Sequence, residues 1–203
     1  MKITRIERIG KKKDKYLIYI DGERSFSIRE EDYFKLNLYE KKEVTQEELE
    51  LIRNDILYNS ARSAAIRYVS LMLRCESEVR NKLKTDGYEQ STIDKVIEDL
   101  KSLGYINDKL YAQKYVYDRM KLKPKSKRLL RFELQKRGIS TEDIEEVLSD
   151  FKMNEQDIIE SLIKRKFGKY DLNDPKIYKR AFSFLVYRGF NTELINEVLN
   201  KMK

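Results

Sequence analysis

Between residues 121 and 137 stand eight basic side chains, Lys121, Lys123, Lys125, Lys127, Arg128, Arg131, Lys136 and Arg137, against one acid, Glu133. Cations packed this densely repel one another until an anionic partner neutralises them, so the run reads as chemistry for holding a polyanion. Lys127, Arg128 and Arg131 fall at spacings that share a helix face, while Leu130 and Leu134 turn inward. Lys125, Lys127, Arg128 and Arg131 are therefore expected to face solvent. Two sparser groups repeat the theme: Arg74, Arg80, Lys82 and Lys84, and then Lys164, Arg165 and Lys166. With Lys123, Lys136 and Arg137 these make up the candidate contacts to an anionic surface. Fourteen tyrosines offer rings for base stacking, yet most, such as Tyr88, Tyr105 and Tyr111, stand where core packing is the expected role.

Catalytic machinery is hard to assemble from this chain. It has no histidine, which removes the commonest general base and the commonest metal ligand together. Cys75 is the one cysteine; it has no imidazole to activate it and no partner for an internal disulfide, and it suits a reducing cytoplasm. The seven glycines are scattered at turns rather than gathered in a phosphate loop. A carboxylate-only metal site, as a nuclease would need, has its acids in Asp94, Glu98 and Asp99, or in Glu142, Asp143, Glu145 and Glu146. These fall on polar helix faces, where solvation explains them. The expectation is a protein that is not an enzyme and takes no cofactor and no metal.

The charge is unevenly placed. Residues 1–60 hold 13 basic and 13 acidic side chains, so the whole net charge of +8 lies in residues 61–203. The later part is the electropositive one. No 18-residue apolar run exists to span a membrane, and the start, Met1-Lys2-Ile3-Thr4-Arg5, lacks the apolar core of a secretory signal. A cytoplasmic monomer without membrane contact is expected.

What positions the cations is a repeat. Gly87, Gly138 and Gly189 are spaced by 51 residues each time. Leu83, Leu134 and Leu185 precede them by four positions, and Tyr88, Ile139 and Phe190 follow by one. Behind come Ile93-Val96-Ile97, Ile144-Val147-Leu148 and Ile195-Val198-Leu199, helical spacing three times over. Glycine is favoured just past a helix end because the left-handed backbone there penalises a Cβ. Each glycine thus predicts a helix stop sealed by an apolar pair, Leu83 with Tyr88 and so on. Ser140 and Asn191 predict the next N-caps, with Asp143 as a capping-box partner of Ser140.

Helices are expected over 61–74, 77–86 and 92–103, then 108–122, 126–137 and 141–151, then 154–167, 174–188 and 192–202. Ahead of them, 2–9 and 15–28 read as strands, the latter folded at Asp21-Gly22. A turn at Lys11-Lys12-Lys13-Asp14 joins the two, 29–37 reads as a short helix or turn, and Thr45 with Glu48 caps a helix to about Asn59. The fold class is mainly α: an N-terminal β-meander with a helix over 1–60, then three-helix repeats at 61–107, 108–152 and 153–203 in an elongated array. Residues 1–60 are expected to be separable from the rest.

Three segments resemble a known family. They are Arg74-Cys75-Glu76-Ser77-Glu78-Val79-Arg80-Asn81-Lys82-Leu83 with Gly87-Tyr88, then Val96-Ile97-Glu98-Asp99-Leu100, then Gly104-Tyr105-Ile106-Asn107-Asp108 with Tyr111-Ala112. All three resemble the RecX family, bacterial regulators of the RecA recombinase. Leu134-Gln135-Lys136-Arg137-Gly138-Ile139 continues the pattern. The resemblance covers residues 61–203, with 1–60 as an N-terminal extension of a kind some members carry. At Lys123-Pro124-Lys125-Ser126 many members have a glycine instead. The resemblance implies a non-catalytic regulator lodged in the groove of the RecA–DNA filament, bridging protomers and suppressing ATP hydrolysis and strand exchange. DNA, single- or double-stranded, would be a weaker partner on its own. A stand-alone nucleic-acid-binding repeat protein is the alternative.

Overall fold

Asp21 and Gly22 both take positive φ, 51° and 89°, the backbone of the tight turn that Asp-Gly between β-rich runs predicts. In this computed structural model, which describes residues 1–10, 14–151 and 154–203, that turn joins β2 (Lys15–Ile20) to β3 (Glu23–Arg29). β1 (Ile3–Ile9) pairs antiparallel with the other edge of β2, giving the order β1-β2-β3. Of the turn expected at 11–14, Lys11 to Lys13 lie outside the described residues.

Two compact units follow from the contacts, Met1–Asn107 and Asp108–Lys203. In the first, Ile18, Ile20, Phe26 and Ile28 of the sheet form one core with Tyr33 of α1 (Glu30–Lys35) and with Leu38, Val44 and Leu49. Thr45 caps α2 (Gln46–Leu51) through a reciprocal box: its Oγ1 accepts from the Glu48 N–H, and the Glu48 carboxylate accepts from the Thr45 N–H.

Beyond α2 the expected break near residue 60 is absent. The chain continues through a π-helical turn, Ile52–Leu57, straight into α3 (Tyr58–Leu71). An α-helix advances about 100° per residue, so Ile52 and Leu57 would stand roughly 140° apart and could not share a core. The wider π turn brings residues five apart onto one face, and both are buried with the sheet. No glycine or proline lies between residues 46 and 71 to stop the run.

α3, α4 (Glu76–Thr85) and α5 (Gln90–Ser102) enclose a second core of Ala61, Ala65, Val79, Leu83, Ile93, Val96, Ile97 and Leu100. The sheet is tied to this bundle. Ser27 Oγ donates to the Gly87 carbonyl at 2.6 Å and Lys15 Nζ to the Asp86 carbonyl at 2.6 Å. Residues 1–60 thus lie in one compact unit with the first bundle, the sheet's own side chains satisfying carbonyls left over at the end of α4.

The second unit contains α6 (Asp108–Leu122), α7 (Lys127–Gln135), α8 (Thr141–Asp150), α9 (Glu155–Phe167), α10 (Pro175–Tyr187) and α11 (Thr192–Lys201), close to the expected bounds. The three repeated stops are as the glycines predict. φ is 88°, 78° and 85° at Gly87, Gly138 and Gly189. Tyr88, Ile139 and Phe190 donate back to Leu83, Leu134 and Leu185 at 3.2, 3.3 and 3.3 Å, the six-to-one bond of the motif. Gly104 forms a fourth such stop, with Tyr105 donating to Leu100 at 2.8 Å. At Ser140 the box differs from expectation. Ser140 Oγ accepts from the Asp143 N–H and itself donates to the Asp143 carboxylate at 2.8 Å, an aspartate being too short to reach back to the cap's N–H.

Candidate functional site

The basic run of α7 is partly spent inside its own repeat. Lys125 is only 18% exposed and is ion-paired to Glu133, which also accepts from the Tyr115 hydroxyl at 2.9 Å. Arg137 lies over the Tyr115 ring, 4.6 Å from its centroid, and donates to the Tyr111 hydroxyl and the Glu133 carbonyl, both at 3.1 Å. Arg131 grips Glu145 of α8 with two nitrogens, at 2.5 and 2.9 Å. The expectation that Lys125 faces solvent is corrected, while Arg131 stays at the surface but is neutralised: the acids that pair with the two come from later in the sequence, eight and fourteen residues on. Burial would raise the Glu133 carboxyl, but the Lys125 ammonium and the Tyr115 hydroxyl outweigh it and hold it below the usual range.

Five members of the run stay open. Lys121, Lys123, Arg128 and Lys136 are exposed and Lys127 half-buried, and none of the five makes an ion pair among the described residues. Leu130 and Leu134, fully buried, fix the face on which they stand. The fold thus keeps a smaller cationic patch than the sequence displays.

In the first unit the corresponding residues are more heavily engaged. Arg80 pairs with Glu76 at 2.6 Å and with Asp94. Lys82 meets Asp86 at 2.6 Å, and Arg74 stacks over Tyr68 at 4.2 Å with Glu78 at 3.9 Å. Only Lys84 is both exposed and outside an ion pair. Four of the seven carboxylates weighed as metal ligands are used in the same way. Asp94 and Asp99 hold arginines, Glu145 holds Arg131 and Glu146 holds Lys109. Among the described residues no three potential metal ligands converge.

The third repeat carries the feature that the sequence reading passed over. Lys164 has a loose contact to Glu160 at 3.7 Å, and Arg165 is exposed. Lys166 lies over the Phe184 ring at 3.9 Å. Beside them, α10 presents Lys176, Lys179, Arg180 and Tyr187, all exposed, Tyr187 to 86%. With Lys166 and Phe184 they line an open cleft of about 620 Å³. None of these four cations forms an ion pair among the described residues. The signal was available: from 164 to 188 there are eight basic residues and two acids, Asp171 and Asp174. It was diluted because the longer link before α10 separates its two halves.

Family models match the chain in four consecutive blocks. Residues 1–45 match the regulatory protein RecX N-terminal domain, and 61–100, 107–148 and 154–199 match the first, second and third three-helix domains of RecX. The N-terminal sheet, kept outside the resemblance on sequence grounds, is thus included. Regulatory protein RecX of Clostridium beijerinckii is 31% identical over 205 residues, covering 99% of this chain and 95% of that protein. Regulatory protein RecX of Caldanaerobacter subterraneus is 32% identical over 202 residues, covering 98% and 99%. A crystal structure of regulatory protein RecX overlays with a TM-score of 0.65 at 25% identity, over 98% of both chains.

Proposed function

Since this chain belongs to the RecX family, we propose that it regulates the RecA recombinase by binding the RecA–DNA filament and, in doing so, lowers its ATPase and strand-exchange activity. The protein acts as a non-catalytic ligand, a cytoplasmic monomer whose repeats present their unpaired cations to the filament. The observation that carries the reading is where charge is left over. The repeats spend their acids internally, as Glu133, Glu145 and Asp94 do, yet leave Lys123, Lys127, Arg128 and Lys136 of the second repeat and Arg165 and Lys166 of the third without a carboxylate partner among the described residues. Uncompensated cations on rigid helices favour a surface of opposite sign and speed encounter with it. A RecA filament, with DNA phosphates in its groove, offers such a surface.

The test is a titration of the purified protein into RecA assembled on single-stranded DNA, following ATP hydrolysis. Inhibition that saturates at a fixed ratio of protein to RecA is the expected result. An unchanged ATPase together with tight binding to naked DNA would favour the stand-alone nucleic-acid-binding alternative.

A further inference from the structure

We propose that the α9–α10 face of the second unit is a site for single-stranded nucleic acid, in which Lys166, Lys176, Lys179 and Arg180 hold phosphates and an unpaired base stacks on Tyr187. Lys176, Arg180, Ser183 and Tyr187 stand at i, i+4, i+7 and i+11, a single line along α10. The line is roughly 16 Å long at 1.5 Å per residue. Three properties distinguish it from an ordinary solvated helix face. Its cations have no carboxylate partners among the described residues. Its floor is apolar, with the Phe184 ring lying under Lys166 at 3.9 Å and under Arg188 at 4.6 Å. Its end carries an aromatic ring exposed to 86%, which no packing role explains.

Phosphates need the cations, and the exposed ring needs a partner with a free π-face. Unstacked bases of a single strand supply both at once, whereas a duplex hides its base faces within the stack. An acidic protein surface would satisfy the cations but gives Tyr187 no role. Ser183, small and placed between Arg180 and Tyr187, leaves the line open for a strand to pass. The site goes beyond the filament reading, and its test contains no recombinase, so a negative result leaves that reading standing.

The full-length protein is titrated into a short labelled oligodeoxythymidylate and into a duplex of the same length, with binding read by fluorescence anisotropy at several salt concentrations. Tyr187→Ala should weaken single-strand binding by roughly five-fold or more, the loss of one stacked base. It should leave duplex binding and the melting temperature unchanged, and Tyr187→Phe should bind as the wild type does. Changing Lys176, Lys179 and Arg180 together to Ala should flatten the log–log salt dependence for the single strand by roughly 0.7 per lost contact. The proposal is overturned if Tyr187→Ala binds the oligonucleotide as tightly as wild type, or loses single-strand and duplex affinity equally. It is also overturned if the triple variant keeps the wild-type oligonucleotide affinity and salt dependence, which would take phosphates off this face.

Discussion

Ser126 Oγ donates to the Gly189 carbonyl at 2.7 Å, and a Cβ on Gly189 would fall 2.7 Å from that same oxygen and 2.6 Å from the Leu129 Cβ. The N-cap of α7 and the C-terminal stop of α10 are thus pressed together. Arg188 adds a bond from its guanidinium to the Pro124 carbonyl at 2.6 Å, and the Ser126 N–H donates to the Arg188 carbonyl at 3.0 Å. In the first unit Ser27 stands in the same relation to Gly87. The repeated glycine therefore has two duties, a left-handed stop and a contact surface for the element in front of it.

Gly189→Ala should consequently cost more than the same change at Gly104. Both positions have positive φ, 85° and 75°, so both incur about 1–2 kcal/mol of backbone strain. No described atom lies within 4 Å of a Cβ on Gly104, whereas on Gly189 overpacking against Ser126 and Leu129 adds about 1–3 kcal/mol. Denaturant unfolding of the two variants measures the difference, and equal losses would remove the contact duty. Gly138→Val, at φ 78°, should lose about 1–3 kcal/mol from the backbone.

The Lys125–Glu133 pair gives a pH dependence of definite sign. Glu133 is held below the usual carboxylate range in the folded protein, so the unfolded chain takes up this proton first as pH falls. The pair's contribution is fully present above roughly pH 4.3, the ordinary glutamate value, and disappears as pH drops through the lowered folded value. Lys125→Met keeps the apolar stem and removes the charge. At neutral pH it should cost about 1–2 kcal/mol, since both partners are mostly shielded from water. Urea midpoints for wild type and variant should converge in acid. A gap that persists well below pH 4 would show that packing, not charge, is what Lys125 contributes.

Local signals in the sequence were enough for the helix stops, the Asp21-Gly22 turn and most caps, because each is decided within six residues of chain. The continuous helix through Ile52–Leu57 was not legible, since a π turn is chosen by the core that Ile52 and Leu57 share and not by any residue inside it. The cationic site was half legible. Charge density found the α7 run, but its neutralisation by Glu133 and Glu145 is a tertiary fact, invisible to a count along the chain. The α10 face was missed for the converse reason: its cations are diluted in sequence and gathered only by the helix.

Removing residues 1–60 should loosen α3–α5 and not merely shorten the protein. The cut falls inside the helical run, takes away Ser27 and Lys15 from the Gly87 and Asp86 carbonyls, and bares the Tyr88 hydroxyl that Ser60 Oγ meets at 2.9 Å. Hydrogen exchange on the fragment should find fast amides in α3–α5 and native-like protection in α9–α11. Protection retained in α4 would mean that the sheet is only an accessory to the bundle.

The last expectation concerns four of the open cations of the second repeat. Lys123, Lys127, Arg128 and Lys136 changed together to Ala should leave thermal unfolding within about 1 kcal/mol of wild type, because none carries an ion pair among the described residues and surface charges contribute little. The same variant should bind the RecA filament more weakly. If these side chains meet DNA phosphates, each lost contact flattens the log–log salt dependence by roughly 0.7–0.9, and naked-DNA affinity falls in parallel. If they meet acidic protein on RecA, filament affinity falls while naked-DNA affinity hardly changes. Parallel titrations on filament and bare DNA at several salt concentrations separate the two. A variant that suppresses the ATPase at wild-type concentrations would take this patch out of the interface and leave the third repeat as the part that engages.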